Sequence, residues 1–194
     1  MARRPVAVEG VGGTGNLTGV TNLFSDGSGY CALLTSGGLN CWGSGEYGQL
    51  GDGMVNDTAT PVAVEGVGGI GTLSGVTSIT SDQEDSYCAL LTSGGLNCWG
   101  YGEVGELGDG KFYTSKPKGS ATPVAVEGVG GTANLTGLTN LVGGDFVGDF
   151  DGGTYCALLT SGGVDCWGYG KQGELGNGTY HTKAKGSASP VAVA

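Results

Sequence analysis

The sequence YCALLTSGGLNCWG at residues 30–43 recurs unchanged at residues 87–100 and, with two substitutions, at residues 155–168. Each copy contains two cysteines and ends in Cys-Trp-Gly. A segment that recurs in tandem indicates a repeat architecture, in which each copy builds one supersecondary unit. What one copy forms, and how many copies there are, therefore decides the fold of this chain.

The composition agrees with a repeat made of short strands. Glycine accounts for 44 of the 194 residues without the Gly-X-Y period of collagen, and 38% of the residues are hydrophobic. The apolar runs are short and bounded by Gly, Ser and Asp, which is typical of strands joined by tight turns. No stretch shows a helical period. The sequence predicts an all-β protein.

A second repeated motif, Pro-Val-Ala-Val, divides the chain into units. It recurs at Pro5, Pro61, Pro123 and Pro190. We therefore expect a single repeat domain over residues 1–194, built from units 5–60, 61–122 and 123–189 and a closing strand at 190–194.

Four short strands, A to D, are predicted in every unit. In the first unit strand A is 20–24, strand B is 30–34, strand C is 39–42, and strand D is the Pro-Val-Ala-Val at 61–64. Four antiparallel strands repeated around an axis form the blades of a β-propeller. The predicted fold is three such blades, arranged as half of a six-bladed ring or as an open arc.

The blade sequence resembles the repeat of the regulator of chromosome condensation (RCC1) family. Besides the stretch quoted above, the motif Gly-Gln-Leu-Gly-Asp-Gly at 48–53 carries the resemblance, with variants at 105–110 and 173–178. The resemblance extends from about Pro5 to Ala194 and implies propeller blades of a bacterial, extracellular type. Proteins of this family include a nucleotide exchange factor, secreted enzyme inhibitors and bacterial repeat proteins, so the resemblance leaves the function open.

The cysteines are predicted to pair within each blade. A three-residue turn at 35–37 places Cys31 opposite Cys41, and directly opposed residues of a non-hydrogen-bonded pair lie close enough for a disulfide. The same spacing gives the pairs Cys88–Cys98 and Cys156–Cys166. Reduced buried thiols are the alternative, and a metal site is disfavoured because the chain has one histidine and no Cys-x-x-Cys motif. Disulfides would place the protein in the extracellular space or at the cell surface.

The A–B and C–D connections vary in length between units, whereas the B–C and D–A connections do not. Strands of a blade alternate in direction, so both variable connections lie on one face, where loops on a rigid scaffold commonly carry recognition. Unconstrained drift of exposed loops is the alternative explanation. We expect a protein partner to contact charged and aromatic residues of these loops: Lys111, Phe112, Tyr113, Phe146, Phe150, Tyr180 and His181.

Charge limits the classes of ligand. A formal net charge of −10 argues against nucleic acid, which needs a basic face, and no apolar run approaches the length of a membrane span. The acidic residues of the A–B loops, among them Asp26 and Asp82, are interpreted as a solvated surface rather than an ion site. The longest of these loops carries Asp145, Asp149 and Asp151, whose oxygens suit Ca²⁺, with a solvated acidic loop as the alternative. No other cofactor is expected.

Three units are too few for a closed propeller, which typically has roughly four to eight blades. The alternatives are a six-bladed ring made by two copies, a filament or other open assembly, and a piece of a longer protein. Residues 5–8 form a surplus strand D, and such an edge invites pairing with another chain. Trp42, Trp99 and Trp167 are expected to pack between blades.

The sequence contains no recognisable set of nucleophile, base and acid, so we expect a protein that is not an enzyme. It favours an extracellular β-propeller module that binds a partner through the variable loops or assembles with itself. A secreted protein inhibitor of an extracellular enzyme is the alternative. An enzyme or an exchange factor is disfavoured.

Overall fold

Three four-stranded antiparallel sheets follow one another along the chain, and we call them blades 1 to 3. The computed structural model describes residues 5–144, 152–182 and 185–194. Blade 1 contains β1 Val20–Ser25, β2 Gly29–Leu34, β3 Leu39–Gly43 and β4 Thr58–Ala63. Blade 2 contains β5 Val76–Ser81, β6 Ser86–Leu91, β7 Leu96–Tyr101 and β8 Gly119–Ala125. Blade 3 contains β9 Leu138–Gly144, β10 Thr154–Leu159, β11 Val164–Tyr169 and β12 Gly186–Ala192.

The central hairpin of each blade is formed by the repeated stretch at residues 30–43, 87–100 and 155–168. In blade 1 the Leu34 N–H donates to the Gly38 carbonyl at 2.9 Å, and the Gly37 N–H donates to the Leu34 carbonyl at 2.8 Å. Gly37 has a φ of +78°, a conformation that glycine adopts without a steric cost. The predicted three-residue turn is therefore confirmed, and it sets the register of the two strands.

The register places the two cysteines of every blade directly opposite each other, as Cys31 and Cys41 show in blade 1. All three pairs are disulfides, with Cα atoms 4.0–4.1 Å apart, and no free cysteine remains. This separation is that of a non-hydrogen-bonded antiparallel pair. The prediction of three disulfides is confirmed, and the alternatives of reduced thiols and a metal site are not.

Strand D is longer at its start than the Pro-Val-Ala-Val motif, and the predicted bounds of this strand were wrong. In blade 1 the strand begins at Thr58 and ends at Ala63, so Val64 lies beyond it. Thr58 pairs with Gly43 across a bulge, and this pairing extends the ladder ahead of Pro61. A proline is tolerated here because strand D is the outer strand of its blade.

The first Pro-Val-Ala-Val, at residues 5–8, does not form a strand in the described part of the chain. The nearest pairing is an isolated bridge between Glu9 and Asn16. A strand D needs the strand C of a preceding unit for its ladder, and the described residues offer none at this position. The surplus strand predicted from the sequence is therefore exposed chain.

Neighbouring blades pack through faces that differ in chemistry. The disulfide face of blade 1 contacts a face of blade 2 that carries a tyrosine and a tryptophan, and the same arrangement recurs between blades 2 and 3. Trp99 of blade 2 donates its indole N–H to the Gln49 carbonyl of blade 1 at 3.0 Å, and Trp167 donates to the Glu106 carbonyl at 2.8 Å. Both tryptophans pack between blades as predicted. Trp42 is only half-buried, because no blade in the described residues precedes it.

The A–B and C–D loops share one side of the array, which we call the loop face. Gln49 in the first C–D loop donates to the carboxylate of Asp85 in the second A–B loop at 3.1 Å. On the opposite side, the B–C turn contacts the D–A connections, since the Val76 N–H donates to the Gly37 carbonyl at 2.9 Å. The predicted separation of variable and constant connections is thus present in the structure.

Candidate interaction surfaces

The C–D loops of the three blades share one local conformation. Each has an Asp or Asn whose side-chain oxygen accepts a hydrogen bond from the N–H two residues later, at 3.1–3.3 Å: Asp52 to Met54, Asp109 to Lys111 and Asn177 to Thr179. Such turns are typical of these residue types. The next residue of each loop follows directly after this turn.

That next side chain is apolar or aromatic and exposed in all three loops, and we call the set the loop-face row: Val55, Phe112 and Tyr180. Tyr180 is the most accessible, at 72% of its surface. Phe112 and Tyr180 were predicted from the sequence, whereas Val55 was missed because it is neither charged nor aromatic. Its position four residues after the first glycine of the repeated Gly-Asp-Gly or Gly-Asn-Gly, the same as that of Phe112 and Tyr180, is the signal that could have identified it.

The neighbours of the row brace the loops. Asp109 accepts hydrogen bonds from the Lys111 ammonium and from the Tyr113 hydroxyl, both at 2.9 Å. Burial raises the pKa of Tyr113 well above its usual range, so this hydroxyl acts as a donor. In blade 3 the His181 ring lies at 3.2 Å from the Asn177 amide and 3.1 Å from the Thr179 hydroxyl. Tyr113 and His181 therefore position the loops, and Phe112 and Tyr180 are left for contact.

A cleft of about 400 Å³ lies beside Val55, between the first two C–D loops. Its lining is mixed in charge and consists of Glu46, Tyr47, Val55, Lys116, Pro117 and Lys118. Lys118 pairs with Glu103 at 2.7 Å, and this hydrogen bond lowers the pKa of the Glu103 carboxyl. Next to the apolar side chain of Val55, the cleft therefore offers charged and hydroxyl groups that can form hydrogen bonds with a polypeptide.

Asp26 and Asp82, in the first two A–B loops, are not part of the solvated surface that the sequence suggested. Asp26 and Asp82 are buried, because each side chain caps its own loop. Asp82 accepts hydrogen bonds from the N–H groups of Glu84 and Ser86 at 3.0 and 3.2 Å and from the Ser86 hydroxyl at 2.6 Å. Burial nevertheless raises the pKa of Asp82 to about 7. These two carboxyls brace their own loops, and Asp26 keeps one buried oxygen, Oδ2, without a hydrogen-bond partner among the described residues.

A second buried acid, Glu106, lies near Asp82 where blades 2 and 3 meet. One of its oxygens accepts the Val104 N–H at 3.0 Å, and the other is buried without a partner among the described residues. Burial and then the charge of Asp82 raise the pKa of Glu106 well above its usual range. In the sequence, Glu106 replaces the Gln49 of the blade 1 motif, and nothing local to it indicates burial.

Several predicted site residues lie outside the described part of the chain. Phe146, Phe150, Asp145, Asp149 and Asp151 belong to residues 145–151, so the calcium prediction stays a prediction. Within residues 5–144, 152–182 and 185–194, no group of three His, Cys, Asp or Glu side chains is placed to hold a metal ion. No helix in these ranges is long and apolar enough to cross a membrane.

Known proteins share this sequence and this arrangement of strands. Residues 36–81 match the regulator of chromosome condensation (RCC1) repeat. The chain is 32% identical to the E3 ubiquitin-protein ligase HERC2 of Mus musculus over 155 residues, which are 79% of this chain and 3% of that protein. It is 27% identical to the ultraviolet-B receptor UVR8 of Arabidopsis thaliana over 158 residues, which are 80% of this chain and 31% of the receptor.

Among solved structures, Prp20p of Saccharomyces cerevisiae is similar in fold. It matches with a TM-score of 0.67 at 19% identity, over 92% of this chain and 39% of that chain. This chain therefore spans less than half the length of each of these proteins. The likeness to Prp20p concerns the fold alone, since the sequences have diverged this far.

Three antiparallel four-stranded blades, packed face to face in sequence order, define an array of β-propeller blades. The array matches part of an RCC1 propeller. The match to the RCC1 repeat runs from the central hairpin of blade 1 to the first strand of blade 2. Domains built from these repeats typically bind proteins and are usually not catalytic. The three disulfides are typical of proteins from an oxidising compartment.

Proposed function

We propose that this chain is a non-enzymatic interaction module that binds a protein partner through the loop face. The loop-face row is the observation that carries the proposal. It presents one exposed apolar or aromatic side chain per blade, directly after the same turn in each C–D loop. Aromatic side chains in such positions dominate the binding energy of many interfaces.

The surroundings of the row support a polypeptide as the ligand. A cleft with lysine, glutamate and tyrosine side chains adjoins Val55 and offers hydrogen-bonding partners around an apolar contact. An apolar centre with a polar rim is the usual anatomy of a protein interface. Prp20p, which shares the fold, binds Gsp1p and histones, so protein binding has a precedent among proteins of this fold.

The proposed place of action is the extracellular space or the cell surface. Disulfides form and persist in oxidising compartments, and each blade here is closed by one. A secreted inhibitor of an extracellular enzyme is the second candidate. The exposed Phe112 and Tyr180 favour it, because aromatic side chains can occupy the substrate pockets of an enzyme.

The proposal is tested by capture of partners from the extracellular fluid of the source. We expect proteins retained by the natural chain to be lost when Phe112→Ala and Tyr180→Ala are combined. The matched control is Ile70→Ala, which removes an exposed apolar side chain from a D–A connection on the opposite side. Proteins retained equally by the natural chain, the double variant and the control would contradict binding through the loop face.

The two candidate functions separate in the next step. An inhibitor reduces the turnover of the captured enzyme in proportion to occupancy, and a binding module leaves turnover unchanged. Measuring the activity of the captured protein with and without the natural chain decides between them.

A further inference from the structure

The outer face of blade 1 is built like the buried faces of blades 2 and 3. We call it the leading face, and it carries Leu23, Tyr30 and Trp42. The corresponding residues of blade 2, Ile79, Tyr87 and Trp99, are buried against blade 1. Leu23 is 62% exposed, whereas Ile79 is 4% exposed. The difference arises because blade 2 has a preceding blade and blade 1 has none in the described residues.

The outer face of blade 3, which we call the trailing face, shows the converse. It carries Leu158, Val164 and Val193, which correspond to Leu33, Leu39 and Val64 of blade 1. Those three residues of blade 1 are buried in the core that it shares with blade 2. Val193 is 41% exposed and Val64 is fully buried. The chain therefore exposes both halves of one interface, one half at each end of the array.

The trailing face also repeats the turn that receives a tryptophan. A Cβ atom at Gly51 would lie 2.9 Å from the indole nitrogen of Trp99, and one at Gly108 would lie 2.9 Å from that of Trp167. Glycine is needed at both positions because the indole occupies the space. Gly176 is the third member of the set, and it adjoins Val193 rather than a tryptophan.

On the leading face, Trp42 already has the orientation of the buried tryptophans. Tyr30 and Trp42 stack with ring centroids 5.9 Å apart and an interplanar angle of 25°. The buried pair Tyr87–Trp99 has 6.0 Å and 28°. The two aromatic pairs thus have the same geometry whether or not a blade covers them, so association does not require Trp42 to be reordered.

Backbone groups at the two ends are matched as well. At the inner interfaces the Gly53 N–H donates to the Ala121 carbonyl, and the Gly110 N–H to the Ala188 carbonyl, both at 2.9 Å. Gly178 of blade 3 is equivalent to the donors Gly53 and Gly110. Ala59 of blade 1, which is exposed, is equivalent to the acceptors Ala121 and Ala188.

We propose that a second copy of this chain binds head to tail, with the leading face of one copy on the trailing face of the next. Trp42 of one copy enters the turn at 173–178 of its neighbour and donates its indole N–H to the Glu174 carbonyl. The occupant is a second copy because the same chain presents both halves, residue for residue as at its inner interfaces. The proposal is independent of the loop face.

The test uses two variants, each with one outer face disabled. Leu23→Lys places a charge on the leading face, and Leu158→Lys places one on the trailing face. Both residues are exposed in the single chain, so we expect each variant to fold, which its circular dichroism spectrum checks. We expect the natural chain to have a mass of at least twice the 19.1 kDa of one chain in light scattering. Each variant alone is expected to be monomeric, and an equimolar mixture is expected to form a dimer through the one intact pair of faces.

The mixture identifies the mode of association. A monomeric natural chain at high micromolar concentration would overturn the proposal. Association of like faces would also overturn it, because Leu158→Lys would then remain dimeric through its leading face. Ile70→Lys is the control, since it charges an exposed residue away from both outer faces and is expected to keep the mass of the natural chain.

Discussion

At the scale of single residues, Gln49 and Glu106 occupy the same place in consecutive blades and differ only in one atom. The side-chain oxygen of Gln49 accepts the Tyr47 N–H at 3.0 Å, and the side-chain NH2 of Gln49 donates to Asp85. Glu106 accepts the corresponding N–H from Val104 but has no donor to offer while it is ionised. Blade 2 therefore has a buried acid at the position where blade 1 has an amide.

Burial of this acid and of Asp82 makes the stability of the fold depend on pH. The pKa of Asp82 is about 7 in the folded chain; an unfolded aspartate has a pKa of about 3.9. The folded chain thus holds a proton that the unfolded chain releases between these values. The free energy of unfolding is expected to fall as the pH rises from about 4 to about 7, and Glu106 adds to this fall.

We predict that Glu106→Gln stabilises the protein at pH 8 and flattens this dependence. The substitution removes a group that must either become charged in the interior at this pH or keep a proton against its ordinary pKa, and both cost free energy. Urea unfolding at pH 5 and at pH 8 measures the effect. The reciprocal Gln49→Glu is the matched control and is expected to lower stability more at pH 8 than at pH 5. Equal slopes for all three proteins would contradict the prediction.

At the scale of the element, the central hairpin of each blade is closed by its turn and by its disulfide. The turn sets the register of the two central strands, and the disulfide links the same two strands covalently. A covalent link of this kind restricts the unfolded chain. The restriction is valuable in a chain with 44 glycines, because glycine loses more freedom on folding than any other residue.

We predict that replacing Cys88 and Cys98 by serine lowers the free energy of unfolding by about 2–3 kcal/mol or more, from the loss of a short closed loop. Both sulfurs are fully buried against blade 3, so the serines also lose packing. The pair Cys156 and Cys166 is the comparison, because Cys156 is partly exposed and its replacement is expected to cost less. Denaturant unfolding of the two double variants measures the difference, and equal losses would contradict it.

At the scale of the whole molecule, the blades are joined by one repeated contact, in which a tryptophan enters a glycine turn. Trp99 and Trp167 make this contact inside the array, and the half-buried Trp42 is chemically identical but lies on the leading face. The three residues therefore compare the same side chain with and without a neighbouring blade.

We predict that Trp99→Ala destabilises the single chain by about 3–5 kcal/mol, the usual cost of truncating a buried large aromatic residue. Trp42→Ala is expected to cost the single chain about 1 kcal/mol, mainly through the lost stacking on Tyr30. Thermal unfolding at a dilution at which the chain is monomeric gives both values. Similar losses for both variants would show that blade packing does not depend on this contact.

Much of the fold was predictable because its causes are local. The spacing from Cys31 to Cys41 and the glycine at position 37 specify the hairpin, its register and its disulfide. Strand D was predicted less well, since Thr58 joins the ladder through a bulge that no turn residue announces. The surplus strand at 5–8 was wrong for a related reason, because a strand forms only where another strand supplies its hydrogen bonds.

The repeat, the four strands of each blade and the cysteine pairing could be predicted from the amino-acid sequence, since they depend on contacts between residues that are near each other in the chain. Only the tertiary structure decided which acids are buried, which side chain of each C–D loop is exposed and which faces are covered. Those properties depend on the neighbouring blade. In the sequence, Asp82 and Glu106 look like surface acids, because their burial depends on blade 3. Trp42 and Trp99 lie in identical sequence, and only the structure shows that Trp42 is half-buried and Trp99 fully buried.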